Sequence, residues 1–296
     1  MFRRQDGFED QPVTLPCGRC IGCRLEYSRQ WAMRCYHEAQ LHDQNCFVTL
    51  TYDDEHLPED WSLDLRHFQL FMKRLRKAHG EGIRFYHAGE YGAKYGRPHY
   101  HAIIFGFDFA DKIFFKMRGD YPLFISADLQ SLWEHGFSSI GSVTFDSAAY
   151  VARYITKKIT GEKAEGLCDC KECRGIKRHY ERIDPETGEI TQLKPEYCTM
   201  SRGSKKLGTG GIGAGWYRQF KGDAYPSDFV IVNGVRVKPP KFYDAKFEVE
   251  DPNTLKRLKG ARKRGANEHP EDRTERRLRD LEKVQLARLQ LKRKEL

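Results

Sequence analysis

Two histidines and a glutamate lie close together in the sequence. His99 and His101 fall in the stretch from Gly96 to Gly106, and Glu90 precedes the first of them by nine residues. The run that follows His101 is short, apolar and partly β-branched, which predicts a buried strand. Residues two apart on a strand point to the same face, so both imidazoles should project side by side. Two imidazoles on one face form half of a divalent-metal site.

Glu90 ends a second predicted strand that starts at Ile83. If the two strands are antiparallel neighbours across the turn 91–97, the carboxylate completes a site with open positions. Mixed carboxylate and imidazole ligands suit Mn²⁺ better, whereas abundance favours Mg²⁺. His-x-His pairs are also common at strand ends that bind nothing, so the prediction depends on the rest of the chain.

Two tyrosines four residues apart are candidate nucleophiles. Tyr150 and Tyr154 share one face of a predicted helix, for which Asp146 is the expected N-cap. A neutral phenol, with a pKa of about 10, attacks poorly unless a metal polarises the target phosphate. Lys158, or as a near-equal alternative Lys157, is placed to orient that phosphate. An aromatic stripe packed into the core would give the same spacing without chemistry.

Together these patterns resemble a known family. A His-apolar-His strand followed by tyrosines on a helix is similar to the HUH nickases, which cut and rejoin single-stranded DNA during rolling-circle replication. The resemblance is closest to the replication initiators of microviruses, the gokushovirus type in particular. It runs from about residue 17 to 217, and its motifs are Pro16–Arg24, Phe47–Tyr52, Gly96–Gly106 and Tyr150–Tyr154.

The resemblance implies a fold and an activity. It implies a ferredoxin- or RRM-like antiparallel sheet with the histidines on a central strand, and a tyrosine that keeps the 5′-phosphate of the nicked strand while freeing a 3′-OH. The second tyrosine then religates the circle, without a nucleotide cofactor. Thr49 and Thr51 match the family's DNA-binding first motif, and Arg97 is a further candidate for DNA contact.

The implied partners are single-stranded phage DNA and its replication origin. The Gly-rich stretch 202–216 lacks the Gly-Lys-Ser/Thr ending of a P-loop, so a host helicase and a host DNA polymerase are expected to assist. No apolar run long enough to span a membrane and no secretory signal are present, which predicts action in the host bacterial cytoplasm without a membrane partner.

The cysteines suggest two structural zinc sites, with iron–sulfur clusters or free thiols as alternatives. Cys17, Cys20 and Cys23 have the spacing of a zinc knuckle. Their fourth ligand is expected among Cys35, His37 and His42, whereas Cys46 reads as a core residue. The second set is Cys168, Cys170 and Cys173, completed by Cys198 or by His179.

Charge is concentrated at the C-terminal end. The net charge is +9, and residues 254–296 contain 15 Lys and Arg against 7 Asp and Glu. A basic tail suits non-specific phosphate attraction. A solvated charged helix without a particular role is as good an interpretation.

Apolar periodicity predicts an α+β fold in which helices cover an antiparallel sheet on one side. The predicted helices are 25–42, 65–78, 128–135 and 146–158, and the predicted strands are 46–52, 83–89, 99–105 and 138–145. The chain divides into a Cys-rich segment 1–24, an endonuclease core 25–160, a Cys-containing and Gly-rich extension 161–253 and a basic helical tail 254–296.

Two other functions fit the same residues. A plasmid relaxase or transposase would use the same chemistry. A non-catalytic, zinc-stabilised nucleic-acid-binding protein on an RRM-like sheet would expose aromatic side chains on the open sheet face and would tolerate His99→Ala.

Overall fold

The computed structural model describes residues 15–92, 95–153, 158, 162–168, 173, 175–204 and 208–294. Its helices are α1 Ile21–Ala39, α2 Leu65–His79, α3 Ala127–Leu132, α4 Phe145–Arg153, α5 Glu162–Glu165, α6 Ala214–Ala224, α7 Lys241–Glu250, α8 Pro252–Asn267 and α9 Glu275–Lys294. Its strands are β1 Asn45–Thr51, β2 Arg84–Tyr91, β3 Pro98–Phe105, β4 Ile113–Arg118, β5 Tyr121–Ile125, β6 Ser138–Gly141, β7 Glu181–Ile183, β8 Ile190–Gln192, β9 Tyr197–Met200, β10 Val230–Val232 and β11 Val235–Val237. No helix among the described residues has the length and apolarity needed to cross a membrane.

The main sheet has seven strands in the order β4-β5-β6-β1-β3-β2-β9, and the pairs of known register are antiparallel. The predicted antiparallel pairing of the two strands around the turn 91–97 is confirmed. β2 and β3 pair so that Glu90 stands opposite His99. On the other side of β3, β1 places Thr49 opposite His101 and Thr51 opposite His99. Both threonines therefore lie on the sheet face that carries the two histidines.

Helices cover both faces of this sheet, so the prediction of helices on one side only is wrong. On one face Tyr100 and Ile104 pack with Phe68 and Phe71 of α2 in the first core cluster. On the other face Ile103 and Phe105 pack with side chains of α1 and α4 in the second core cluster, for example Trp31 and Val151. The reason lies in β3, which is buried at almost every position and apolar on both faces from Ala102 to Phe105.

Three strands of the main sheet lie where the sequence predicts none. The β4–β5 hairpin occupies part of 107–125, where every residue of β4 is exposed and the alternation that marks a half-buried strand is missing. β9 pairs with β2 at the sheet edge. The sheet thus extends beyond the segment 25–160 that the sequence predicts as its core.

A third cluster joins the later part of the chain to α1. Met33 of α1 packs with Trp216 of α6, Tyr243 of α7 and Leu255 of α8. The predicted helical character of the basic tail is confirmed by α8 and α9, but only α8 among these two places a fully buried residue in a core cluster. The side chains of α9 are mostly exposed.

Candidate active site

Glu90, His99 and His101 converge on one point of the sheet. The Nε2 atom of His99 lies 2.7 Å from Oε1 of Glu90, and Nε2 of His101 lies 3.3 Å from the same oxygen. Glu90 and His101 are buried, whereas His99 is half-buried. The structure therefore brings the three predicted metal ligands together, with access from solvent on the His99 side.

The far ring nitrogens are oriented by neighbouring groups. His99 Nδ1 is 3.2 Å from the backbone carbonyl of Arg97, and His101 Nδ1 is 3.0 Å from Oγ1 of Thr49. A carbonyl oxygen only accepts, so Nδ1 of His99 donates and Nε2 carries the lone pair in the neutral ring. Such outer partners fix the orientation of metal-binding histidines.

The charges at this point call for a cation or a proton. Burial alone would raise the pKa of Glu90, but hydrogen bonds with His101 and His99 outweigh it and hold that pKa well below the usual range. A lone pair on a neutral imidazole repels the adjacent carboxylate oxygen. Candidate ligand atoms of the three residues all lie within 4.8 Å of one another. The nitrogen and oxygen donor set therefore fits a divalent ion such as Mn²⁺ or Mg²⁺.

Helix α4 sets Tyr150 beside this point. Thr144 and Ser147 cap the helix reciprocally: the Ser147 N–H donates to Thr144 Oγ1 at 3.0 Å, and the Thr144 N–H donates to Ser147 Oγ at 2.8 Å. The predicted N-cap at Asp146 is wrong, because that residue already lies in the first turn, where its charge suits the helix dipole. The cap starts the helix one residue earlier than the sequence analysis predicts.

Tyr150 contacts His101, the more buried of the two site histidines. The ring centroids of His101 and Tyr150 are 5.4 Å apart at an interplanar angle of 78°. Phe47 lies beside both, with centroid distances of 5.7 Å to His101 and 6.3 Å to Tyr150. Phe47 therefore lines the site, a role that the sequence did not predict.

The structure gives less information on the other predicted catalytic residues. Tyr154 and Lys157 lie outside the described residues. Lys158 is half-buried and is not in a helix, so helical periodicity does not place it on the face of Tyr150. α4 ends at Arg153 in the part of the chain that the structure describes.

The predicted DNA-contacting residues hold parts of the site together. Thr51 Oγ1 donates to the carbonyl of Phe137 at 2.8 Å, and the Arg97 guanidinium binds the Asp54 carboxylate as well as the Tyr52 carbonyl. Thr49 hydrogen-bonds His101, a role that the sequence analysis missed. No local pattern in the sequence predicts this hydrogen bond, because Thr49 and His101 are 52 residues apart and are brought together only by the register of β1 and β3.

The first cysteine set forms a cluster at the start of α1. Cys17 Sγ lies 3.8 Å from Cys23 Sγ, and the N–H of Cys20 donates to Cys17 Sγ at 3.3 Å. Backbone hydrogen bonds from Cys20 and Arg19 lower the pKa of Cys17 to about 7. These three thiols are within reach of one shared ion.

None of the three residues predicted as a fourth ligand joins this cluster within the described residues. Cys35 is buried in the second core cluster, His37 stacks on Trp216, and His42 follows the end of α1. A helix rises about 1.5 Å per residue, so Cys35 stands about 18 Å along the axis from Cys23. Nearness in sequence was therefore a misleading guide to the fourth ligand. Cys46 is a buried core residue, as predicted.

The second cysteine set gains a histidine. Cys168, Cys173 and His179 lie together, whereas Cys198 lies in β9 and packs in the second core cluster. Of the two alternatives left by the sequence, the structure therefore brings His179 and not Cys198 to the pair. Cys170 lies outside the described residues.

Comparisons with known proteins agree with this architecture. A family model described as a replication-associated protein of the ORF2 type matches residues 45–159, which include β1, the Glu90–His99–His101 site and Tyr150. The chain is 46% identical over 156 residues to replication-associated protein VP4 of Bdellovibrio phage phiMH2K, covering 49% of each chain. It is 33% identical over 252 residues to replication-associated protein ORF2 of Spiroplasma virus 4, covering 80% of this chain and 68% of the relative.

A third relative, replication-associated protein ORF4 of Chlamydia phage 1, is 27% identical over 263 residues, covering 82% of this chain and 58% of the relative. The chain thus spans about half the length of the first relative and more of the other two. No solved structure matches it. The chain belongs to the family of phage replication-associated proteins of the microvirus type, as its motifs predict.

Proposed function

We propose that this protein initiates rolling-circle replication by nicking single-stranded phage DNA at the origin and later religating the circle. The observation that carries the proposal is the position of the Tyr150 ring against His101, beside the convergent ligands Glu90 and His99. This arrangement supports the proposal, because phosphodiester transesterification needs a nucleophile beside a group that neutralises the charge of the phosphate. Membership of the family supports the same proposal.

The reaction exchanges one phosphate ester for another. The phenolic oxygen of Tyr150 attacks the phosphorus and loses its proton, a bond forms between them, and the bond from phosphorus to the 3′-oxygen breaks. The leaving oxygen takes up a proton and becomes the 3′-OH that a polymerase extends, while the 5′-phosphate stays on the tyrosine. The ester bond is conserved, so rejoining needs no nucleotide cofactor.

Glu90, His99 and His101 would hold Mn²⁺ or Mg²⁺. When bound, that ion supplies positive charge for the non-bridging oxygens of the scissile phosphate. Thr49 and the carbonyl of Arg97 keep both imidazole rings turned toward Glu90, and Phe47 excludes water from the inner side of His101. These residues position the site without contacting the reacting atoms.

The second strand transfer is assigned to Tyr154, with Lys158 or Lys157 orienting the phosphate. Two nucleophiles that act alternately would let the protein cut the regenerated origin and close the first circle without leaving the DNA. We propose that single-stranded origin DNA reaches the site on the half-buried His99 side, with Arg97, Thr49 and Thr51 as its nearest proposed contacts. Host helicase and host DNA polymerase complete the cycle in the host cytoplasm.

The proposal is tested by the ends that cleavage leaves. An internally labelled origin strand, incubated with protein and Mn²⁺, should give a 3′ end that a polymerase extends and a 5′ end that resists exonuclease, because its phosphate stays esterified to the tyrosine. Tyr150→Phe combined with Tyr154→Phe should abolish both products. Tyr121→Phe, an exposed tyrosine of β5, is the matched control and should cleave normally. A free 5′-phosphate would exclude tyrosine transfer.

The two rival functions give different results. A relaxase or transposase of the same chemistry would form the same adduct but would not support circle closure on phage-origin DNA. A non-catalytic binding protein would bind the strand, leave it intact and be indifferent to His99→Ala. The burial of the central sheet under helices on both faces disfavours an open RRM-like binding face.

A further inference from the structure

The segment that follows α4 contains two buried thiols and an imidazole that point at one another. Cys168 and Cys173 are 7% and 3% exposed. Cys168 Sγ lies 3.4 Å from Nδ1 of His179, and Cys173 Sγ lies 3.9 Å from the same nitrogen. We propose that Cys168, Cys173 and His179 bind a structural zinc ion, independently of the nuclease site and of the function proposed for it.

The distances are those of ligands that share a metal. Zinc bonds of about 2.3 Å to sulfur and about 2.1 Å to nitrogen, at a tetrahedral angle, separate the two ligand atoms by about 3.6 Å. The two observed separations lie on either side of this value. A hydrogen bond between a thiol and the imidazole would account for one sulfur, whereas both sulfurs converge on one nitrogen.

The backbone prepares this convergence. Leu167 and Arg178 form a β-bridge, which brings Cys168 and His179 next to each other across the loop. The Cys168 N–H donates to the carbonyl of Lys177 at 3.0 Å, and the Cys168 carbonyl accepts from the N–H of Gly175 at 2.8 Å. Gly175 has φ +73°, a conformation that glycine adopts without strain. The ligands are therefore held on a tight turn and not on independent loops.

This segment has no hydrophobic core of its own to hold it. Among the described residues, the three core clusters take none between 162 and 196. The strands β7 and β8 form a two-stranded sheet apart from the main one, and an isolated hairpin is marginally stable in water. Small units without a sufficient core are commonly stabilised by a metal or by disulfides. A zinc ion at this turn supplies the missing stabilisation.

The proposed site anchors the chain that enters the main sheet. Tyr180 follows His179 directly, and its hydroxyl donates to the buried carboxylate of Glu196 at 2.7 Å. The carbonyl of Tyr180 also accepts from the N–H of Leu193 at 2.8 Å. A metal that fixes His179 would therefore also restrain the residues that lead into β9.

Those residues in turn touch the strand that carries Glu90. The Lys194 carbonyl accepts from the Tyr91 hydroxyl at 2.8 Å, and β9 pairs with β2 so that Tyr197 stands opposite Gly89. The zinc turn therefore supports β2 from its outer edge. Its ligand set of thiolates and imidazole suits zinc, whereas the carboxylate-containing site suits a harder ion, so the two sites select different metals.

The test measures metal content and spectra of the full chain. Cys173→Ser and His179→Ala should each lower the zinc content, determined by mass spectrometry after gel filtration, by one equivalent per chain. Cys198→Ser is the matched control, because this half-buried thiol in β9 lies outside the cluster, and it should retain the full zinc content. Equal zinc in the wild type, Cys173→Ser and His179→Ala would overturn the proposal.

A second variant protects the test against misfolding. His179→Cys replaces one zinc ligand by another, so it should fold and retain zinc. In the Co²⁺-loaded protein it should also strengthen the near-ultraviolet absorption of thiolate-to-cobalt charge transfer, because one more sulfur coordinates the metal. Loss of the metal in this variant, or an unchanged charge-transfer intensity, would contradict ligation at residue 179.

Discussion

At the scale of single residues, the site depends on how the outer ring nitrogens of its histidines are held. Thr49 sets the ring of His101 and the Arg97 carbonyl sets that of His99. Both inner nitrogens then face the same oxygen of Glu90. Metal affinity should consequently depend on a threonine that would not coordinate the ion.

Thr49→Val removes the hydroxyl without changing the shape of the side chain. We expect Mn²⁺ affinity, measured by calorimetry, to fall about 10- to 100-fold, the usual effect of losing an outer partner of a metal-bound histidine. Thr49→Ser keeps the hydroxyl and should bind almost as the wild type does. If both variants bind Mn²⁺ equally well, Thr49 does not orient His101.

The residue types and spacing of this site are readable from the sequence, but its outer contacts are not. The three ligands could be predicted from the sequence because they lie at the facing ends of two strands that a short turn joins: Glu90 in one strand, and His99 and His101 in the other. Thr49 and Phe47 reach the site only through the pairing of β1 with β3, which joins residues about 50 positions apart. Cross-strand partners at that separation have no local sequence signal.

At the scale of secondary structure elements, close backbone contacts hold the strand ends near the site. Gly136, between α3 and β6, has φ +142°, and a Cβ atom there would lie 2.2 Å from the backbone nitrogen of Asp53. That contact fixes the end of β1, where Thr51 stands opposite His99. Only glycine allows the two segments to approach so closely.

Gly136→Ala should therefore lower the free energy of unfolding by about 2–4 kcal/mol, the sum of backbone strain and a clash that only backbone movement can relieve. Gly80→Ala is the matched control, because it also has positive φ but no atom within 4 Å of its added Cβ. It should cost backbone strain alone, about 1–3 kcal/mol, and so less than Gly136→Ala. Equal losses in urea unfolding would show that the close approach is unimportant.

The buried histidine of α1 makes stability depend on pH. Burial lowers the pKa of His37 to about 3, so its ring is neutral in the folded protein, whereas an unfolded histidine has a pKa of about 6.5. The contribution of the neutral His37 ring to the free energy of unfolding is complete above about pH 6.5. As pH falls below that value, this contribution is lost by about 1.4 kcal/mol per pH unit until the folded pKa is reached.

His37→Gln keeps a side chain that can hydrogen-bond the Tyr243 hydroxyl, which lies 2.9 Å from Nδ1 of His37. Because glutamine does not titrate, urea unfolding between pH 7 and pH 5 should show a shallower loss of stability for the variant. Carboxylates contribute equally to both proteins, so the difference isolates His37. Parallel stability curves would mean that His37 is already neutral in the unfolded chain or is charged in the fold.

Secondary structure was predictable where apolar residues recur regularly on one face of an element. α2, with buried Phe68, Phe71, Met72 and Leu75 on one side, matches its prediction almost to the residue. β4 was missed because its residues are exposed on both faces, so burial imposes no alternation. The start of α4 was misplaced because a threonine and a serine cap each other there in place of an aspartate.

At the scale of the whole molecule, the basic tail ends in the helix α9. α9 is largely exposed and carries many of the basic residues of the tail. Its sequence predicts either a phosphate-binding surface or a solvated helix. Its described side chains join none of the three core clusters, so its charges are accessible to a phosphate backbone.

Replacement of Arg276, Lys283 and Arg288 by Gln tests this surface, because all three are exposed. If they contact phosphates, the slope of log affinity against log salt concentration for single-stranded DNA should fall by about 0.7 per residue. Arg66, Lys73 and Lys77 of α2, also exposed, give a control triple variant with an unchanged slope. An unchanged slope in the α9 variant would leave the tail as a solvated helix.

The overall architecture was partly predictable from the sequence. Composition and strand patterns indicate an α+β chain with an antiparallel sheet, and the motif order indicates its family. The second helical layer was missed because the apolar run Ala102–Phe105 of β3 does not reveal which helices will cover its two faces. β9 was missed because it is a short, half-buried edge strand.

The most direct measurement of the central claim is covalent capture of circular single-stranded phage-origin DNA on a denaturing gel with Mn²⁺. The proposed function predicts a protein–DNA adduct that survives denaturation, requires the metal and is lost in His101→Ala and in the Tyr150→Phe, Tyr154→Phe double variant. Tight binding of this DNA by the wild type without any adduct, or an adduct that persists in the double variant, would contradict it.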